Sequence, residues 1–251
     1  FIIFYLKIHK KLKNYIKRFL PSKIEIKRVK KILYLGLPSA LHSFFEVAFF
    51  ISAVWMSGFI GKNSQAANQI ALNLSSMTYM IALGVGVAAM IRVGNQRGMM
   101  NYKKLREVAL STLILIIIID LFFCVVFLLF NNYLPLLYLD PSDPSNLNDV
   151  NEVLGIASKL LIVAGFFQIF DGIQAVVLGS LRGMQDVYKP AIIIFCSYGL
   201  LGFPTSYYLG FYTNLSMIGI WIGLLVGLIS SSLFLFIRFN YLSKKIILIN
   251  D

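Results

Sequence analysis

Ala164-Gly165-Phe166-Phe167-Gln168-Ile169-Phe170-Asp171-Gly172-Ile173-Gln174-Ala175-Val176-Val177-Leu178-Gly179-Ser180-Leu181-Arg182-Gly183 is an apolar run with an acid near its middle. About 20 mostly apolar residues cross a bilayer as a helix. A carboxylate at that depth costs roughly 2.5–3.5 kcal/mol on insertion scales, so something must offset Asp171. On a helix, Gln168 and Gln174 stand three residues either side of it and Ala175 four residues on. These residues make a polar stripe, bounded by Gly172 and Gly179, on an otherwise apolar helix. Such a stripe faces a protein interior or a water-filled cavity, not lipid. Asp171 is then either a structural acid hydrogen-bonded between helices or part of a transport pathway, and intramembrane acids mark pathways by default.

The rest of the chain has the composition that this stretch implies. The hydrophobic fraction is 58%, mean hydropathy is +0.78, and only 14% of residues are charged. Soluble domains carry about 45–50% apolar and 25% charged residues. A polytopic, all-α membrane protein is expected. Cys124 and Cys196 lie inside apolar runs and read as small buried hydrophobes. The chain opens on Phe1-Ile-Ile-Phe-Tyr-Leu6 followed by basic residues, the reverse of a signal peptide. This opening reads as the tail of an earlier span, so the chain is expected to be a fragment. Residues 5–20 place Ile8, Leu12, Tyr15, Ile16 and Phe19 at helical spacing among lysines, a basic amphipathic helix suited to an anionic lipid surface. His9 belongs to its solvated face, and Pro21 ends it.

Six spans follow, over about 32–59, 65–91, 108–130, the stretch quoted above, 191–211 and 217–239. Gly36 and Pro38 predict a kink or loosened turn early in the first. His42 and Glu46 share a face there, four residues apart. Glu46 is a second intramembrane carboxylate, and His42 is either an interhelical hydrogen bonder or a direct participant. In the second span Gln69, Asn73, Ser76, Met80 and Gly84 recur at steps of four and three. That stripe is either interhelical glue or the lining of a cavity. Gly84 and Gly86 allow close helix contact. Asp120 stands alone in the third span without polar neighbours at helical spacing. It is expected to be uncharged, with a structural role or a proton-handling one. The acidic, proline-containing loop 139–152 fails the EF-hand pattern, having Asn151 where a Glu is required, and reads as an external loop. Gly199, Gly202 and Pro204 predict a break in the fifth span. Gly219, Gly223 and Gly227 predict tight helix packing in the sixth.

All lysines and arginines except Lys62 and Lys159 fall on one side of this topology. The positive-inside rule makes that side cytoplasmic, with both chain ends there, as in a cytoplasmic (inner) membrane protein. The net charge of +12 is thus a topology signal and no nucleic-acid footprint. There is no P-loop, nucleotide fingerprint, metal-spaced His/Cys cluster or catalytic triad pattern, so neither an enzyme nor a cofactor is expected. The chain divides into residues 1–31 (span tail and basic linker), a six-helix transmembrane lobe over 32–239, and a cytoplasmic tail over 240–251.

Leu35-Gly-Leu-Pro38 with Phe44-Phe-Glu46-Val, Ala66-Ala-Asn-Gln-Ile-Ala-Leu-Asn73, Leu83-Gly-Val-Gly with Arg92-Val-Gly-Asn95, and Phe166-Phe-Gln-Ile-Phe-Asp171-Gly with Leu178-Gly-Ser-Leu-Arg-Gly183 occur in this order. Together they resemble the second six-helix half of a multidrug and toxic compound extrusion (MATE) transporter, from about residue 32 to 239. The resemblance implies one lobe of a twelve-helix protein, with the missing N-terminal half as partner and a substrate cavity between the lobes. It implies export of organic, often cationic compounds against entering protons or sodium ions. Glu46 and Asp171 match the family's cation site in this lobe, a possible sodium site. Gln69 and Asn73 match a motif facing the cavity, where His42, Gln168 and Gln174 are further lining candidates. Asn68 stands where many relatives have His, and Ala82 where many have Pro, which bears on cavity polarity and on the bend of the second span. A flippase for a lipid-linked saccharide shares the superfamily architecture, but would be expected to place several basic residues in its cavity. A channel or an uncoupled membrane subunit is the third class, separable by ion dependence of flux.

Overall fold

A computed structural model describes residues 25–139 and 147–250. The expected basic helix over 5–20, its His9 and Pro21, and the centre of the acidic loop, 140–146, lie outside the described residues. Among those described there is no strand. The elements are α1 (Ile26–Ile60), α2 (Lys62–Gly98), α3 (Tyr102–Leu129), a 3-10 turn (Leu134–Leu137), α4 (Leu147–Gly183), α5 (Tyr188–Cys196), a π-helical segment (Ser197–Gly202), α6 (Phe203–Phe211) and α7 (Ser216–Asn250). With α5, the π segment and α6 taken as one span, six helices are long and apolar enough to cross a membrane. The described residues form two units that divide within α1, between Leu37 and Pro38. The first contributes only the opening turns of α1.

Short polar and glycine joints set the helix ends. Gly61, the one residue between α1 and α2, has φ 152°, a backbone conformation that side chains resist. Asn101 caps α3, its side chain accepting from the Lys104 amide at 3.1 Å. Pro38 stands inside α1 without ending it. The expected break in the fifth span is a π-helical segment, not an interruption. Pro204 supplies no N–H to the carbonyl four residues back, and the wider turn lets the chain pass it. Thr205 Oγ1 donates to the Leu201 carbonyl at 2.6 Å. At the other end of the bundle α7 runs as helix through residues read as a tail, to Asn250.

The helix with the central acid is also the centre of the bundle: α4 packs against α2, α3 and α7. The α2–α4 crossing brings backbone onto backbone. A Cβ on Gly86 would lie 2.8 Å from the Ala175 carbonyl oxygen, and one on Gly183 would lie 2.6 Å from that of Met90. Gly84, by contrast, has nothing within 4 Å, so of the two glycines read as contact points only Gly86 is one. On α7 the glycine stripe meets α6 as its spacing predicts, Gly219 against Leu209 and Gly223 against Ser206. Trp221 of α7 is fully buried and donates Nε1–H to Asn68 Oδ1 of α2 at 2.9 Å. Asn68 is therefore a core residue that ties two helices, and it leaves cavity polarity untouched. Ala82 is buried as well, in a helix that continues unbroken to Gly98.

Candidate functional site

Glu46 on α1 and Asp171 on α4 line the same cavity, of about 620 Å³, whose third wall is α2. The α2 stripe decides the wall's chemistry. Gln69, Asn73 and Ser76 line the cavity, and none of the three is buried within the bundle. Periodicity left glue and lining as alternatives; here the stripe is lining. Phe50 and Phe167 supply aromatic wall on either side of the acids, their rings 5.9 Å apart. The cavity thus combines two carboxylates, two amides and flat apolar surfaces. An organic cation with an apolar body fits that chemistry, since aromatic faces attract cations as well as ring systems.

A smaller cavity, about 90 Å³, adjoins the first and shares Ser43, Glu46, Tyr79 and Leu83 with it. Its further lining includes His42, Gln174 and Arg182. Gln174 donates from Nε2 to Glu46 Oε1 at 3.3 Å. The buried hydroxyl of Tyr198, in the π segment, holds the same amide, 2.7 Å from its Nε2 and 2.9 Å from its Oε1. Glu46 Oε2 lies 3.7 Å from His42 Nε2, and His42 Nδ1 lies 3.0 Å from Arg182 Nη2. The stripe of α4 and the paired residues of α1 therefore meet around one carboxylate.

One expectation needs correcting. Gln168 is buried and lines neither cavity, and both its amide atoms lack a hydrogen-bond partner. Three residues from Asp171 puts it 60° round the helix, and the neighbouring position Phe167 takes the cavity wall instead. Asp120 has no polar neighbour at helical spacing on its own helix, as its sequence context indicates. It is buried, its Oδ2 has no hydrogen-bond partner, and it packs on Gly172, where an added Cβ would run into that oxygen. The residue before Gly172 is Asp171, so the isolated acid of α3 sits behind the acid of α4, away from both cavities.

Arg182 was missed as a site residue. Standing at the end of the quoted run, it counted only as one of the charges on the cytoplasmic side. In the structure α4 includes it, and helical side chains lean toward the N-terminus, which carries a long one back into the bundle. The four-residue spacing of His42 and Glu46, on the α1 face that Arg182 meets, was the available signal. Cys124 and Cys196 are both free.

The MatE family profile matches residues 38–208. "Probable multidrug resistance protein NorM" of Agrobacterium fabrum is 36% identical over 217 residues, covering 86% of this chain and 45% of that protein. "Multidrug resistance protein MdtK" of Yersinia pseudotuberculosis is 32% identical over 221 residues, covering 86% and 46%. The chain spans about half the length of the curated relatives it matches. Among solved structures, the eukaryotic MATE transporter AtDTX14 aligns with a TM-score of 0.76 at 22% identity, over 94% of this chain and 54% of that one. A MATE protein in the bent conformation aligns with a TM-score of 0.80 at 18% identity, over 92% and 49%.

Proposed function

This chain belongs to the MatE family, and from that premise we propose that it is one lobe of a cation-coupled antiporter exporting organic, cationic compounds by alternating access. The observation that supports this reading is the shared cavity, with Glu46 and Asp171 on different helices of one wall system. A carboxylate site can hold a proton, a sodium ion or an organic cation, but not all at once. Mutual exclusion at one site couples opposing fluxes, because each ligand favours the state to which it binds more tightly. The partner is a second six-helix lobe, and rocking of the two about a midplane site supplies access to each side in turn. The relatives named for multidrug resistance favour efflux as the direction. Among the described residues lining the larger cavity none is basic, which speaks against an anionic lipid-linked saccharide as cargo.

The test is export by the full-length protein in proteoliposomes, with an aromatic organic cation as cargo. Efflux should accelerate under an inward proton or sodium gradient. Equal flux without either gradient would replace the antiporter with a channel. For orientation, the Lys/Arg asymmetry favours both chain ends in the cytoplasm, with the protein in the inner membrane. A cysteine introduced at Asn146 should react with an impermeant thiol reagent in intact cells, and one at Asn101 should not. The reverse labelling would invert the topology.

A further inference from the structure

Of the polar groups around the smaller cavity, His42 has the most constrained chemistry. Its side chain is only 5% exposed. Arg182 Nη2 stands 3.0 Å from its Nδ1. A guanidinium carries donors and no acceptor, and it does not lose its proton inside proteins. The contact is a hydrogen bond only if Nδ1 is the acceptor. An imidazolium, protonated on both nitrogens, would set donor against donor there, and so would the Nδ1–H tautomer. The Nε2–H tautomer remains. That Nε2 has no hydrogen-bond partner. A buried donor left unmatched is destabilising. The acceptor facing it is Glu46 Oε2, 3.7 Å away and one helical turn along α1. Closing by under about 1 Å would bring the pair into hydrogen-bond range. The other oxygen, Oε1, already accepts from Gln174, whose amide is fixed by Tyr198.

We propose that Arg182 locks His42 in the Nε2–H tautomer, and that His42 is thereby a positioning residue, holding Glu46 Oε2 while Gln174 holds Oε1. The carboxyl is then presented to the cation cavity in one orientation, by donors from α1 and α4. This rests on the reading of Glu46 as a coupling acid. The lock itself is independent of transport, and the two can fail separately.

The first measurement is nitrogen NMR of the full-length protein labelled at histidine, with His42 assigned by its loss in His42→Gln. The chain holds two histidines, His9 and His42. The expected signature is a bare Nδ1 and a protonated Nε2, turning into a tautomer mixture in Arg182→Leu. An Nδ1–H tautomer, an imidazolium at neutral pH, or no response to Arg182→Leu would overturn the lock. The second measurement is the apparent affinity for the coupling cation at fixed pH. His42→Leu should lower it roughly tenfold, as for a lost hydrogen bond to a charged group. His42→Gln should recover most of that loss, since its amide N–H occupies the place of Nε2–H. Equal behaviour of the Leu and Gln variants would overturn the positioning role. A wild-type protein that shows the signature but exports nothing would instead sink the antiporter reading and leave the lock standing.

Discussion

In the full-length protein, Asp171→Asn and Glu46→Gln are each expected to lower the proposed coupled export roughly 100-fold while the protein stays folded in the membrane. Each change keeps the volume and removes only the charge. The factor corresponds to about 2.7 kcal/mol, within the range for losing one interaction with a charged group. On the antiporter reading the cargo and the coupling ion both need that charge, so the loss should appear for either driving gradient. Export assays at matched protein levels, with melting in detergent as the folding control, are the check. If Asp171→Asn exports at the normal rate with unchanged pH and sodium dependence, the coupling mechanism is wrong. Asp120→Asn should cost less, though not because the acid is isolated. It packs on Gly172, behind Asp171, and lines neither cavity. Its effect on transport has to pass through Asp171, whereas Glu46 faces the cavity directly.

That difference shows how far the sequence reaches. Spans are legible because bilayer thickness sets a length and lipid sets a composition, both of which are local properties. The stripe on α2 was legible as a stripe for the same reason: Gln69, Asn73 and Ser76 repeat on one helix. What lies across from a stripe is a property of a second helix, and one helix's periodicity says nothing about it. Asp120 is legible as an acid without polar neighbours on its own helix, and its Oδ2 indeed has no hydrogen-bond partner, but that it packs on Gly172 of α4 is a property of the second helix. Gln168 looked like cavity lining because it flanks Asp171, yet a 60° rotation buries it. Arg182 was hidden by a boundary. Counting it among the cytoplasmic-side charges removed it from consideration, although its Nη2 stands 3.0 Å from His42 Nδ1. Asn68 shows the converse case, where a departure from the family pattern seemed to bear on the cavity and turned out to belong to the Trp221 contact in the core.

The second large effect concerns the crossing that positions the acid. Gly179 of α4 meets Gly86 of α2 with no side chain between them. A Cβ on Gly179 would run into the Gly86 carbonyl oxygen and come within 2.9 Å of its carbon. Backbone atoms cannot rotate out of the way as a side chain tip can, so the helices must separate. Overpacking of this kind typically costs about 1–3 kcal/mol. Gly179→Ala should therefore lower the melting temperature of the full-length protein in detergent, and Gly179→Val should lower it further. Gly155 on the same helix is the control, because nothing lies within 4 Å of its Cβ position. Gly155→Ala should be neutral or stabilise by up to about 1 kcal/mol through helix propensity alone. Asp171 lies two turns from Gly179 on α4, and the lining amides are carried by α2. Forcing these helices apart separates the carboxylate from Gln69 and Asn73, so Gly179→Val should also weaken export in whatever fraction still folds. A Gly179→Ala protein that melts like the wild type would mean that α2 and α4 do not cross in backbone contact, and the shared cavity would lose its third wall.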